Sequence, residues 1–290
     1  TVRLFYDING NGNIGGGDPY IATATTNANG TYFLPTHLDT ANYLVVVERP
    51  TTNAAGTTGL LAEQTYGSGN TIAVGTTKAI RALCETGAGA TAQKTTNGAC
   101  YGGRNGATAD GNVGTTNAPN REHVTLVSVV SGNSVANVDS GFSFNVVTNL
   151  NDTGQGSLRQ FIANANAIIG ANAMRFVPAV PTNQTSGANT WWRITPTTAL
   201  PAITVTNGNN TTIDGRAYNL ADGVTQLQTN TASIGSTLSV GTGVDARVGT
   251  GDEYAMSSLN GPELEVNWAT PASSFILQAQ AASTTIQNVC

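Results

Sequence analysis

Only one stretch of this chain repeats its apolar residues at the helical period. Leu158, Phe161, Ile162, Ala165 and then Ile168 or Ile169 recur at i, i+3, i+4 and i+7, forming one apolar stripe. Ser157 and Gln160 in front of it have the S-x-x-Q spacing of a capping box, and Gly170 stops it. Everywhere else the apolar runs are short, rich in β-branched and aromatic residues, and separated by Gly and Asn. Runs of that kind cannot supply helices of ordinary length, so strands must bury the apolar surface. The 44 Thr and 31 Asn agree, because Thr suits strands and Asn suits turns, and neither favours helix interiors. The predicted class is all-β.

The surface of such a chain is covered by neutral polar groups. Only 10% of residues are charged, against about 25% in an average soluble domain. Lys78 and Lys94 are the only lysines, and the other ten cations are arginines. A net charge of −5 with 39% apolar residues leaves enough material for a core and argues against disorder. A pI near 4.9 with scattered cations gives no basic footprint, so no nucleic-acid partner is expected. No apolar run approaches the length of a membrane span, so none is expected in this segment. The first residues lack a basic stretch followed by an apolar one, so any export signal is expected to have been removed or to lie outside this stretch. The composition points to an extracellular protein.

The style of the sequence changes near residue 146, which divides the chain into 1–146 and 147–290. Upstream, Val2-Arg3-Leu4-Phe5-Tyr6, Thr31-Tyr32-Phe33-Leu34, Tyr43-Leu44-Val45-Val46-Val47, the run from His123 to Val130, and Gly141-Phe142-Ser143-Phe144 read as strands. Asn29-Gly30 is a tight-turn signal. Short strands and turns with no helix between them predict an antiparallel β-sandwich.

Between the first two of these strands, oxygen-bearing side chains recur with the spacing of a calcium loop. Asp7, Asn9, Asn11 and Asp18 fall at loop positions 1, 3, 5 and 12, with Gly12 at position 6 and Ile14 at position 8. Asn13 at position 7 would offer its backbone carbonyl. Calcium takes six to eight hard oxygen ligands, and only two carboxylates here predict weak binding, roughly 10⁻⁴–10⁻³ M. An ion-free Asn/Gly hairpin loop is the other reading.

Leu4-Phe5-Tyr6-Asp7-Ile8-Asn9-Gly10-Asn11-Gly12, then Thr26-Asn27-Ala28-Asn29-Gly30-Thr31-Tyr32-Phe33, Asn42-Tyr43-Leu44-Val45-Val46-Val47 and Asn137-Val138-Asp139-Ser140-Gly141-Phe142 follow one another in a telling order. This order resembles the B-type repeat of Gram-positive collagen adhesins and serine-aspartate-repeat surface proteins. The resemblance implies a small transthyretin-like sandwich serving as a stalk or spacer, with residues 51–122 as a long insertion. Some family members cross-link a first-strand Lys to a last-strand Asn. Both lysines here lie inside the insertion, so no such isopeptide bond is expected.

Cys84 and Cys100 flank a Gly/Ala/Thr-rich loop and are predicted to form a disulfide. Closing a loop of that size stabilises by roughly 3 kcal/mol in the chain-entropy model. Metal binding by this pair is the rival, but no His or second Cys pair lies nearby in sequence. Cys290 is left over as a candidate inter-subunit partner.

After the helix come short runs at 174–177, 192–194, 202–205, 211–215, 263–266, 275–277 and 284–287. The interval from Leu264 to Ile286 suits one rung of a parallel β-helix, whose open first edge needs a cap such as an amphipathic helix. The segment from Val146 to Asn166, containing Asp152-Thr153-Gly154-Gln155-Gly156-Ser157-Leu158-Arg159-Gln160, resembles the start of bacterial surface β-helix domains. Leu200-Pro201-Ala202-Ile203, Thr212-Ile213-Asp214-Gly215 and Gly261-Pro262-Glu263-Leu264 continue that pattern in order. Phe161 departs from the usual Ala, and 216–260 reads as an insertion between rungs. The whole chain is thus expected to be an antiparallel β-sandwich followed by a helix-capped parallel β-helix.

Parallel β-helices also host polysaccharide lyases and hydrolases, which cluster aspartates with a basic residue. The candidates are Asp214, Arg216, Asp245, Arg247, Asp252 and Glu253, and most sit in the expected insertion, where a solvated loop is the plainer reading. His37 and His123 lie in no triad or metal-ligand motif. Trp191-Trp192 suits either sugar stacking or a buried pair. Asn29, Asn151, Asn183, Asn209 and Asn210 occupy N-x-[ST] sequons and are candidate glycosylation sites, although such abundant Asn and Thr produce several by chance. The expected function is structural: a secreted or cell-surface protein that assembles with copies of itself, with extracellular glycans as alternative partners. Ser283 to Cys290 reads as a rung strand with nothing after it, so either the chain is expected to continue or its edge to dock on a neighbour.

Overall fold

Strand β3 (Ala41–Val47) is the hub of the first half, because its alternating side chains enter two different cores. Leu44 and Val46 pack with Phe5, Ile14, Leu83, Val124 and Leu126 on one face. Tyr43 and Val45 pack with Val2, Leu4, Val127 and Val129 on the other. A strand buried on both faces loses the polar alternation of an exposed one, as the run Tyr43-Leu44-Val45-Val46 shows. A computed structural model describes residues 1–36, 40–72, 78–87, 90–108, 114–115, 121–130, 134–204, 206–229, 233–234, 239–240, 254–255, 259–260, 262–268 and 276–290.

Around β3 the other strands of the first half are β1 (Val2–Tyr6), β2 (Tyr20–Ala24), β4 (Glu63–Gly67), β5 (Gly69–Ile72), β6 (Lys78–Glu85), β7 (Thr91–Gln93), β8 (Gly98–Ala99), β9 (Val124–Val129) and β10 (Ser140–Ser143). The main sheet runs β2-β1-β3-β9-β6-β5, with β7 also paired to β6, and a second sheet runs β10-β4-β8. Every pairing in both is antiparallel. The chain passes from the second sheet to the first at Ser68, between β4 and β5. Ser68 C=O accepts Ala82 N–H at 2.8 Å, while its own N–H donates to Asp139 C=O at 3.2 Å.

Two features differ from the sequence reading. Thr31–Leu34 makes no strand; Tyr32 and Leu34 instead pack side-on against one of the two cores, with Tyr32 Oη donating to Val138 C=O at 2.6 Å. An aromatic, β-branched run thus covers a sheet face rather than extending it. Residues 51–122, read as a long insertion, are part of the sheets themselves: they supply β4 to β8, and β6 lies inside the main sheet between β9 and β5.

The second half begins where the strand partners change. β11 (Val146–Val147) pairs in parallel with β13 (Arg175–Phe176), and Phe176 bridges in parallel to Ala217. β12 (Asn172–Ala173), β16 (Thr211–Asp214) and β22 (Thr285–Gln287) form a second parallel ladder. A hairpin of β14 (Gln184–Ser186) and β15 (Asn189–Ile194) leads to a third, in which β15 pairs in parallel with β21 (Leu264–Val266). Two short antiparallel pairs join β17 (Ser233–Ile234) to β20 (Leu259–Asn260) and β18 (Ser239–Val240) to β19 (Tyr254–Ala255). Leu264 bridges Val289, whereas Ile286 pairs with Ile213, so Leu264 and Ile286 belong to different ladders.

The helix forms over most of its stripe, as α1 (Leu158–Ala167), but ends short of Gly170: Ile168 is its extended C-cap and Ile169 is exposed. Ser157 caps it, its Oγ accepting Gln160 N–H at 3.1 Å. Only this half of the predicted capping box is made, because the Gln160 side chain donates to Asn164 Oδ1 at 2.9 Å instead. The apolar stripe, with Leu158, Phe161, Ile162 and Ala165 all buried, joins Phe176, Trp192, Ile194, Ile213 and Leu264 in one core.

Polar side chains lock the two halves together. Asn164 on α1 donates to Leu61 C=O at 2.8 Å and to Phe144 C=O at 2.9 Å, and accepts Leu61 N–H at 3.2 Å. Asn149 donates to Gly106 C=O at 3.3 Å and Asn151 to Ala107 C=O at 3.0 Å.

Candidate functional site

The Asp7–Asp18 loop follows directly from β1 and folds back so that Ile14 enters the core beside Phe5. Its two carboxylates are buried and hold the loop shut from within. Asp7 accepts Asn11 N–H at 3.1 Å and Gly12 N–H at 2.9 Å, one on each oxygen. Asp18 accepts Ile8 N–H at 3.3 Å and Gly15 N–H at 2.8 Å in the same way. Asn9 and Asn11 each accept the N–H two residues on, at 3.0 and 2.7 Å. Gly10 and Gly12 have φ of 68° and 69°, the left-handed conformation that the tight turns demand. A carboxylate oxygen can accept more than one bond, so Asp7, with one N–H on each oxygen, has capacity left for an oxygen-seeking cation. Asn9, Asn11 and Asn13 are exposed.

Cys84 on β6 and Cys100, just past β8, form a disulfide with Cα atoms 5.2 Å apart. It ties the main sheet to the second one. Asn29, Asn151, Asn183 and Asn210 are exposed, while Asn209 is half-buried and accepts Ala282 N–H at 3.0 Å. Cys290 is a free, exposed cysteine whose backbone pairs with β21.

Of the catalytic candidates, Asp245, Arg247, Asp252 and Glu253 lie outside the described residues, as does His37. Asp214 and Arg216 form an ion pair. Asp214 also accepts Gln287 Nε2 at 2.9 Å and Asn288 Nδ2 at 2.8 Å, so this carboxylate fastens the last strand of its ladder. Burial raises its pKa, but the bonds from Arg216, Asn288 and Gln287 prevail and hold it below the usual carboxylate range. Trp192 is buried edge-to-face against Phe176 and donates to Val180 C=O. Trp191 is half-buried and donates to Glu265, which also pairs with Arg193.

The densest polar site lies at the junction of the two halves. Glu63 begins β4, Glu122 and His123 precede β9, and Gln155 sits in the loop before α1. All four are buried. One ligand atom from each of Glu63, Glu122 and His123 lies within 4.8 Å of the others. His123 Nε2 is 3.6 Å from Glu122 Oε2, and its Nδ1 is 3.1 Å from Val47 C=O, which fixes the proton on Nδ1. Gln155 Nε2 lies 3.3 Å from Glu63 Oε1 and 3.2 Å from His123 Nε2. Thr148 donates to Glu63 Oε2 at 3.1 Å, and Gln64 N–H to Glu63 Oε1. Burial pushes the His123 imidazole down to about 4, with Arg49 adding to the shift and the Val47 hydrogen bond opposing it.

No spacing rule identifies this cluster, because its members come from three separated segments. Glu122-His123 is adjacent in sequence, but nothing local marks Glu63 or Gln155 as their neighbours. No family model and no solved structure matches this chain, so what it does must follow from its own residues.

Proposed function

We propose that this chain is part of a secreted or cell-surface bacterial protein with a structural role. In this reading the first half is a B-type-repeat sandwich acting as a spacer with a weak calcium site at Asp7, Asn9, Asn11, Asn13 and Asp18. The second half is the helix-capped start of a parallel β-helix, and copies of the chain associate through it. The observation that carries the reading is the β12-β16-β22 ladder. Its outer strand pairs with β16 on one side, has no partner strand on the other among the described residues, and exposes all three side chains. Ile286 on that strand is 42% exposed. An unpaired strand edge with an exposed apolar side chain is a template for another strand, whether a further rung of the same chain or a strand of a copy. The low charge of the chain weakens the repulsion that would keep copies apart. Its structural rather than catalytic character is supported by Asp214 and Arg216, which neutralise one another and fasten β22.

Sedimentation velocity across a concentration series tests this. The chain should form concentration-dependent oligomers, and Ile286→Lys, which places a charge on the edge, should shift it to monomer. A chain that stays monomeric at its highest soluble concentration overturns the proposal.

A further inference from the structure

We propose that Glu63, Glu122, His123 and Gln155 form a buried binding site for one divalent first-row transition cation, placed where the two halves of the chain meet. The distances suit an ion of that size. Zinc-type bonds of about 2.0–2.2 Å in a tetrahedron put neighbouring ligand atoms about 3.3–3.6 Å apart. The cluster shows edges of 3.6 Å from His123 to Glu122, 3.2 Å from Gln155 to His123 and 3.3 Å from Gln155 to Glu63. His123 carries its proton on Nδ1 toward Val47 C=O, so the lone pair of Nε2 faces the cluster, the orientation that a ligating imidazole adopts. Thr148 and the Gln64 N–H orient the Glu63 carboxylate in the same supporting way.

Gln155 supplies an independent observation that points to a ligand. The side chain is fully buried, its carboxamide head is inserted between Glu63 and His123, and its Oε1 has no hydrogen-bond partner. A half-turn of the carboxamide places that oxygen where Nε2 now stands, exchanging a hydrogen-bond donor for a fourth ligand. Two carboxylates in one buried site supply the negative charge and oxygen ligands that a divalent cation takes. The imidazole selects against calcium and magnesium, which take oxygen ligands, and toward zinc and its first-row neighbours. This site is separate from the Asp7–Asp18 loop.

The full chain, produced in zinc-supplemented medium and dialysed against EDTA to strip exposed metal, should retain about one zinc per chain by mass spectrometry of metals. His123→Ala and Glu122→Gln should each lower that roughly tenfold or more, while the Asp7→Ala/Asp18→Ala double variant should leave it unchanged. Wild-type protein that keeps essentially no zinc overturns the proposal, as does zinc lost from the loop variant or kept in His123→Ala. If the cluster variants fail to fold, wild-type chain produced with cobalt decides. Visible absorption bands of tetrahedral cobalt(II) support the site, and their absence overturns it.

Discussion

Gly156 shows how little room the junction leaves for a side chain. Its φ is +72°, and a Cβ there would run into Thr148 Oγ1, would lie 2.6 Å from Asn149 Nδ2 and would stand 2.7 Å from Glu63 Oε2. Gly30 also has a left-handed φ, +79°, but faces open space. Gly156→Ala should therefore destabilise by about 3 kcal/mol, from backbone strain and overpacking together, and Gly30→Ala by about 1 kcal/mol. Equal losses in urea unfolding would show that packing at Gly156 contributes nothing. Asp214 permits a second test on a single side chain. Because its folded pKa lies below its ordinary value of 3.8, its contribution is present above that value and disappears as pH falls through the folded one. Asp214→Ala should lower stability by about 1–3 kcal/mol near neutral pH, and the difference from wild type should shrink towards pH 2. Thermal melts over that range measure it; a difference independent of pH refutes the assignment.

At the scale of elements, periodicity was most legible where one rule acts alone. α1 forms where its apolar stripe and Ser157 place it, since cap and stripe are properties of adjacent residues. The disulfide was legible because Cys84 and Cys100 flank a single short loop. Strands were harder to read, because pairing depends on partners far along the chain. Tyr20–Ala24 pairs with β1, while the more aromatic Thr31–Leu34 lies against a core without pairing. The Asp7–Asp18 loop is an element whose chemistry can be tested directly. Calcium should raise the melting temperature and EDTA lower it, with Asp7→Ala abolishing the difference, if the carboxylates of Asp7 and Asp18 hold the ion. Melts indifferent to both additions argue for a loop closed by its own N–H groups alone.

For the whole molecule, the junction decides whether the chain behaves as one body. Asn164 donates two hydrogen bonds and accepts two, tying α1 to residues 61 and 144. Asn164→Ala orphans Leu61 N–H and both carbonyls, and should cost about 2–3 kcal/mol and separate one calorimetric transition into two. A single transition of unchanged shape would mean that the halves are coupled elsewhere. By itself, the sequence determined the all-β class, the helix with its cap, the Cys84–Cys100 pair and the change of style near residue 146, because each follows from residue type and short-range spacing. Only the tertiary structure decided that residues 51–122 build one end of the main sheet and two strands of the second. Only it brought Glu63, Glu122, His123 and Gln155 into one buried cluster. Long-range strand pairing and burial set both outcomes, and neither leaves a local mark on the chain.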